Sequence, residues 1–247
     1  MKTAVELDVF LKELQLVWMR QQYESLAAEA AQHHWSHADY LQRLLEGECL
    51  RRRENRIQRR IQSARFPIVK TLDSFNWSWP KKINREQIQN LFRLAFLQEH
   101  GNVILLGGVG LGKTHLATAL GYAACLEGQP VLFTTAVDMI NTLSAAQAEH
   151  RLKAELKRYT SPRLLVLDEV GYLPIDKQGA DLLFQVISAR YECGSIVLTT
   201  NKPFKQWPTI FNNDSVLTAA VLDRLLHHAI PVIIEGSSYR MKEQSPT

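Results

Sequence analysis

The sequence predicts an α/β fold, a five-stranded parallel sheet covered by helices, preceded by a small all-helical domain. Three observations carry this expectation. Five short apolar runs, at residues 103–106, 131–133, 164–167, 195–198 and 232–234, alternate with helical stretches, the pattern of strands buried on both faces. The first run leads directly into Gly107-Gly108-Val109-Gly110-Leu111-Gly112-Lys113-Thr114 and then an alanine-rich stretch from His115 to Ala124, a strand, a glycine loop and a helix start. No proline precedes Pro67, so nothing breaks a helical pattern over residues 4–65. We therefore expect a helical domain over 1–66 and an α/β domain over 67–247.

Composition narrows the class. The chain has 247 residues, 46% hydrophobic and 22% charged, which suits a soluble globular protein with one substantial core and an appendage. No apolar run approaches the length of about 18 residues that a membrane span needs, and the acidic, amphipathic N-terminus does not read as a signal peptide. Cys49, Cys125 and Cys193 lie far apart, which argues against a disulfide framework or zinc site and suits a reducing cytoplasm. The net charge of +4 is unevenly spread. Residues 1–50 hold four bases and eight acids, whereas residues 51–65 hold seven arginines and one glutamate. A basic stretch of this kind is one form of electrostatic footprint for nucleic acid.

The elements follow in order. Val9, Phe10, Leu14, Leu16, Val17 and Tyr23 form an approximate helical stripe, and Ser36 with Asp39 marks a second helix start. That helix runs on into the arginines, where Arg52, Arg56, Arg59 and Arg60 share one face and Leu50, Ile57 and Ile61 another. The arginine face reads as a contact for phosphate backbone, as a solvated helix face, or as a surface for a protein partner. His33, His34 and His37 lie nearby without further ligand candidates and read as surface residues. Residues 66–82, with Phe75, Trp77 and Trp79, read as a linker that packs on the next domain rather than stacking on bases. Residues 84–100 are expected as one helix capped by Asn84, and residues 138–159 as another. In the latter, Arg151, Lys153, Lys157 and Arg158 are expected on the exposed side, either as an ordinary surface or as a second site for nucleic acid. A helix is expected over 181–192.

The chemistry centres on the glycine loop. The spacing Gly, four residues, Gly-Lys-Thr lets successive backbone N–H groups point at one phosphate, with the helix N-terminus adding positive character. Gly107 to His115 are the candidate nucleotide-binding residues. Lys113 is placed to reach β- and γ-phosphates, and Thr114 to bind Mg²⁺. The run ending in Asp168-Glu169 delivers two acids at a strand end. Asp168 would hold the metal and Glu169 would polarise an attacking water. Asn201 follows the fourth strand, where α/β sheets place ligand groups.

These motifs resemble the AAA+ ATPases over residues 68–240. Leu167-Asp168-Glu169 looks like their Walker B and Thr199-Thr200-Asn201 like their sensor 1, which implies that Asn201 orients the water. Asp223-Arg224-Leu225 is similar to the segment with the arginine finger, which implies that Arg224 acts across a subunit boundary. Ser238-Tyr239-Arg240 resembles the sensor 2 arginine of the DnaC/IstB clade. Only seven residues follow Arg240, so no C-terminal helical lid is expected.

Tyr40-Leu41 through Leu44-Leu45-Glu46, the arginine run, Ala64-Arg65-Phe66-Pro67 and Thr71-Leu72-Asp73-Ser74-Phe75 resemble the IstB-like transposition helpers. The resemblance implies an ATPase using ATP and Mg²⁺ that oligomerises on duplex DNA and recruits a cognate transposase. A DnaC-type helicase loader and an ATPase that contacts only proteins are the competing expectations.

Overall fold

The computed structural model describes residues 2–239. The chain divides between Arg59 and Arg60 into two compact units. The division falls inside a helix rather than after Phe66, because Ile61, Ala64 and Phe66 join the hydrophobic core of the second unit.

The first unit is helical. Helices α1 (Lys2–Glu13) and α2 (Val17–Gln32) precede α3 (His37–Ala64), which continues into the second unit. Leu11, Met19 and Leu44 form its small core. The expected stripe does not form one face. Gln15 turns the chain at φ 56°, and Val9, Phe10, Leu14 and Val17 are exposed. Ser36 and Asp39 make the expected reciprocal cap: the Ser36 amide donates to Asp39 Oδ2 at 3.2 Å and the Asp39 amide to Ser36 Oγ at 3.2 Å. Helix α2 has no cap of its own. Buried Glu48 on α3 serves instead, accepting from the amides of Trp18 (2.8 Å) and Met19 (3.2 Å). Burial raises the Glu48 carboxyl pKa, but Arg52 and these amides outweigh it and leave it below the usual value.

The second unit is built on five parallel strands: β1 (Asn102–Gly107), β2 (Val131–Thr135), β3 (Leu164–Val170), β4 (Ser195–Thr200) and β5 (Ala229–Ile234), in spatial order β2-β3-β4-β1-β5. Alternating side chains feed two cores. Val103, Leu105, Leu164, Val166 and Val197 face one, while Ile104, Leu165, Leu167, Ile196 and Leu198 face the other. The first core is closed by α5 (Lys113–Leu126) and residues 61–97, the second by α6 (Ala136–Ala148), α8 (Lys177–Arg190) and α9 (Ser215–Leu226). Edge strand β5 carries Pro231, where no inner-ladder donor is needed.

Two expected helices are shorter than the sequence suggests. Residues 84–100 give only α4 (Arg85–Leu91), capped by Asn84, and a 3₁₀ turn over Ala95–Leu97. Leu94 adopts φ 58° between them, a break that brings Phe96 and Leu97 into the core. Residues 138–159 split into α6 and α7 (Leu152–Thr160) at His150, φ 57°. Helix α8 begins at Lys177, earlier than expected, because Asp176 caps it by accepting from the Gly179 amide at 2.8 Å. Among the described residues no helix is long and apolar enough to cross a membrane.

Candidate functional site

Strands β1 and β4 lie side by side with Leu106 opposite Thr200. Gly107, the last residue of β1, and Asn201, which follows β4, therefore emerge together at the carboxyl edge of the sheet. The connection after β1 leads toward β2 on one side and the connection after β4 toward β5 on the other, a switch point of the kind that opens a crevice.

The glycine loop curls over that crevice. Gly110 and Gly112 have φ of 75° and 84°, which side chains rarely adopt. A Cβ on Gly112 would also stand 2.7 Å from the Phe75 ring. Lys113 opens α5, is almost fully buried, and donates from Nζ to Gly108 O at 2.6 Å. Its ammonium also lies 5.9 Å from the centre of the Tyr172 ring. On the far side of the loop, the Tyr239 amide donates to Gly110 O at 3.0 Å.

The acids sit beside the loop. Thr114 Oγ1 donates to Asp168 Oδ1 at 3.1 Å, and Thr199 Oγ1 donates to the same oxygen at 2.5 Å. Thr199 Oγ1 in turn accepts from the Glu169 amide at 2.9 Å. Glu169 sits at φ 62° where the β3–β4 register shifts, so a bulge turns its side chain out while Asp168 stays buried. A non-glycine residue held there stores on the order of 1–3 kcal/mol, as functional positions often do. Asn201 Oδ1 is buried without a hydrogen-bond partner. Such an atom fits a crevice built to receive a polar group.

The loop, Lys113, Thr114 and Glu169 border a cavity of about 550 Å³, walled by residues 109–115, Glu169, Tyr172, Tyr239 and the segment from Pro67 to Pro80, whereas Asp168, Thr199 and Asn201 do not line it. That segment packs as expected. Phe75 is buried and Trp77 lies against the core, while Trp79 Nε1 donates to Ser237 O at 2.9 Å. His115 ties the segment to α5: its Nε2 is 2.9 Å from Thr71 O and 3.3 Å from Ser74 Oγ. Burial holds the His115 pKa below its usual value despite the Thr71 carbonyl, and Lys70 adds to the lowering.

The hard oxygen set of Thr114 and Asp168 fits a divalent cation such as Mg²⁺. Sequence reasoning found all of these residues except Thr199 as a link between the acids, Tyr172, and the Pro67–Pro80 wall. Thr199 lies one strand away from Asp168, and only the β3–β4 pairing brings the two together.

Other candidates lie elsewhere. Arg224 is on the last turn of α9, where its Nη1 donates to Ala220 O at 3.1 Å and its guanidinium lies 4.8 Å from the Phe184 ring centre. That end of α9 is fixed to the start of β1: Asn102 Nδ2 donates to Leu225 O at 3.0 Å, and the Asn102 amide to His228 O at 2.8 Å. Arg224 therefore stands at the amino edge of the sheet, opposite the glycine loop. Arg240 lies outside the described residues.

The basic candidates are unequal. Arg52 pairs with Glu48 at 2.9 Å and donates to Gln15 O at 3.1 Å, so it belongs to the scaffold of the first unit. Arg56 Nε donates to Arg52 O at 3.2 Å, and Arg56 and Arg59 are exposed. Arg60 is half-buried near the turn at Gly128. On α7, Lys153 and Lys157 are exposed, Arg158 pairs with Glu155 at 2.9 Å, and Arg151 pairs with Glu149.

Comparison with known proteins gives concordant matches. The family described as "IstB-like ATP binding protein" matches residues 9–247. The "Insertion sequence IS21 putative ATP-binding protein" of Pseudomonas aeruginosa is 42% identical over 239 residues, covering 97% of this chain and 90% of the relative. The "Insertion sequence IS5376 putative ATP-binding protein" of Geobacillus stearothermophilus is 39% identical, covering 95% and 93%. Among solved structures, the DnaC helicase loader aligns with a TM-score of 0.54 and 21% identity over 67% of this chain and 96% of that one. The replication initiator DnaA bound to AMPPCP and single-stranded DNA aligns with a TM-score of 0.56 and 23% identity over 68% and 50%. These two likenesses are of fold.

Proposed function

The chain belongs to the IstB-like ATP-binding proteins and has an AAA+ fold; from that premise we propose that it hydrolyses Mg-ATP as a DNA-binding helper of insertion-sequence transposition. In this reading it oligomerises on duplex DNA and recruits the element's transposase. The observation that supports hydrolysis is the linked set at the carboxyl edge: Lys113 in the loop, Thr114 and Thr199 both on Asp168, and Glu169 turned out on its bulge.

The roles follow from position. The loop amides and Lys113 bind the β- and γ-phosphates. Thr114 and Asp168 would hold Mg²⁺, which neutralises charge on the phosphate oxygens. Glu169 takes a proton from the attacking water, while buried Asn201 Oδ1 orients that water through one of its protons. The water oxygen bonds to the γ-phosphorus as the bond to the ADP oxygen breaks. Arg224, remote from its own loop, acts on the site of a neighbouring subunit. Arg56, Arg59, Arg151, Lys153 and Lys157 are exposed bases offered to DNA phosphates, with half-buried Arg60 and Arg158 beside them.

The insertion-sequence relatives favour the transposition reading over a helicase loader, since the likeness to DnaC is of fold alone. The test is a three-protein comparison with duplex DNA. The parent should hydrolyse ATP, and Lys113→Ala should bind ATP weakly. Glu169→Gln should bind ATP, turn over about 10²-fold more slowly, and stay assembled on DNA as particles visible by electron microscopy. Near-normal turnover in Glu169→Gln would remove Glu169 from the mechanism. No duplex binding with ATP by parent or Glu169→Gln would remove the DNA role.

A further inference from the structure

Three ligand-type side chains converge on the opposite rim of the sheet from the ATP site. Glu192 lies in the turn after α8, and His227 and His228 lie in the turn after α9. One ligand atom from each lies within 4.8 Å of the other two, and all three residues are exposed. None of the steps above uses them.

We propose that Glu192, His227 and His228 form a binding site for a divalent transition-metal ion, zinc being the best fit, that ties the turn after α8 to the turn after α9 beside Arg224. The spacing argues for this. His228 Nε2 and Glu192 Oε1 are 4.0 Å apart, too far for a hydrogen bond. Two donors at about 2.0–2.2 Å from one tetrahedral ion stand roughly 3.3–3.5 Å apart, so a small rotation of exposed side chains closes the set.

The backbone beneath the ligands is already fixed. The His227 amide donates to Asp223 O at 3.1 Å, and His228 O accepts from the Asn102 amide at 2.8 Å. The amides of Cys193 and Gly194 both donate to Arg190 O at 3.0 Å, which holds the turn that presents Glu192. His227 also has an outer partner: its Nδ1 is 2.7 Å from the Tyr191 hydroxyl. With the ring proton on Nδ1 and donated to the Tyr191 oxygen, that bond orients the ring and leaves Nε2 for an ion.

The donor set selects the metal. Two imidazoles and one carboxylate suit zinc and its borderline neighbours rather than Mg²⁺ or Ca²⁺, which take oxygen ligands. Three protein ligands leave a fourth position for water or for a group from another molecule. Arg224 lies on the same helix end as His227, so a bound ion stiffens the rim that presents it. The cysteine spacing gave no sign of this site, because its ligands are a glutamate and two histidines on separate turns.

The test is zinc titration of the full chain against a chromogenic chelator. It is run in a background carrying His33→Asn, His34→Asn and His37→Asn, so that the exposed histidines of the first unit do not contribute. One zinc per chain is expected. Glu192→Gln, which keeps the size of the side chain, and His228→Ala should each weaken binding at least about tenfold. Zinc should also raise the thermal midpoint of the background protein but not of Glu192→Gln. Far-UV circular dichroism and ATP binding confirm that the variants fold. Equal zinc affinity in Glu192→Gln and its parent would reduce the site to adventitious histidine binding, and absence of any zinc uptake would overturn the proposal outright.

Discussion

The Thr199 hydroxyl donates to Asp168 Oδ1 at 2.5 Å, and its oxygen also accepts from the Glu169 amide at 2.9 Å. One side chain on β4 thus sets the orientation of one acid and the backbone of the next. Thr199→Val keeps the shape and removes both bonds. Leaving a buried acceptor short costs about 1–3 kcal/mol, which corresponds to roughly five- to 150-fold in turnover if it is felt in the transition state. ATP affinity should change little. Steady-state hydrolysis and nucleotide titration separate the two, and unaltered turnover would deny Thr199 this role.

Arg224 and the glycine loop occupy opposite edges of one sheet. Arg224→Ala should therefore abolish hydrolysis in the assembly and leave ATP binding by single chains intact. Mixing it with Lys113→Ala protein should restore part of the activity, because some interfaces then pair an intact loop with an intact arginine. Mixed assemblies that form but show no activity at any ratio would count against action in trans.

Arg190 is buried and holds four carbonyls, those of Tyr159, Pro162, Arg163 and Ser195. It joins the end of α7 to the starts of β3 and β4. Burial, with the charge of Arg163 nearby, pushes its pKa down to about 10, so it stays charged at neutral pH. Arg190→Met fills similar space but strands the carbonyls. A loss of at least about 3 kcal/mol is expected, which lowers the thermal midpoint by roughly 6–12 °C in a domain of this size. Scanning calorimetry reads this directly, and a midpoint within a degree of the parent would show that Arg190 is dispensable.

Burial lowers the His115 pKa in the folded chain from its ordinary value of 6.5. Below pH 6.5 the unfolded chain takes up a proton that the folded chain resists. The stability contributed by neutral His115 is thus complete above pH 6.5 and is lost as pH falls from there toward the folded pKa. In His115→Gln, denaturant melts should show a shallower decline across that window than in the parent. Equal slopes would mean that His115 titrates alike in both states.

For DNA, exposed Arg56 and Arg59 can be tested without touching Arg52, which supports Glu48. Each lost phosphate contact lowers the slope of log K against log salt by about 0.9 on duplex DNA. Changing Arg56 and Arg59 together to Gln should flatten the slope by up to about 2 per subunit, and Lys153 with Lys157 provides the rival pair. A flattened slope only in the lysine pair would assign DNA contact to α7 of the second unit instead.

The sheet and the loop were legible in the sequence because each depends on local pattern. Strands buried on both faces are plain apolar runs, and the glycine loop has fixed spacing. The helix breaks at Leu94 and His150 were not legible, since neither carries a glycine or proline and the chain turns there to bury Phe96, Leu97 and Tyr159. The bulge that separates Glu169 from Asp168 is equally silent. It depends on pairing with β4, thirty residues downstream of the acids.

Strand β1 has a different duty at each end. Its last residue opens the phosphate loop, and its first, Asn102, clasps Leu225 O on α9 and the Ile196 amide on β4. About 17 Å of extended backbone separates these ends, with hydrogen-bonded neighbours on both sides. The phosphate loop and the helix end that carries Arg224 are therefore fastened to the two ends of one continuous strand, with no hinge between them.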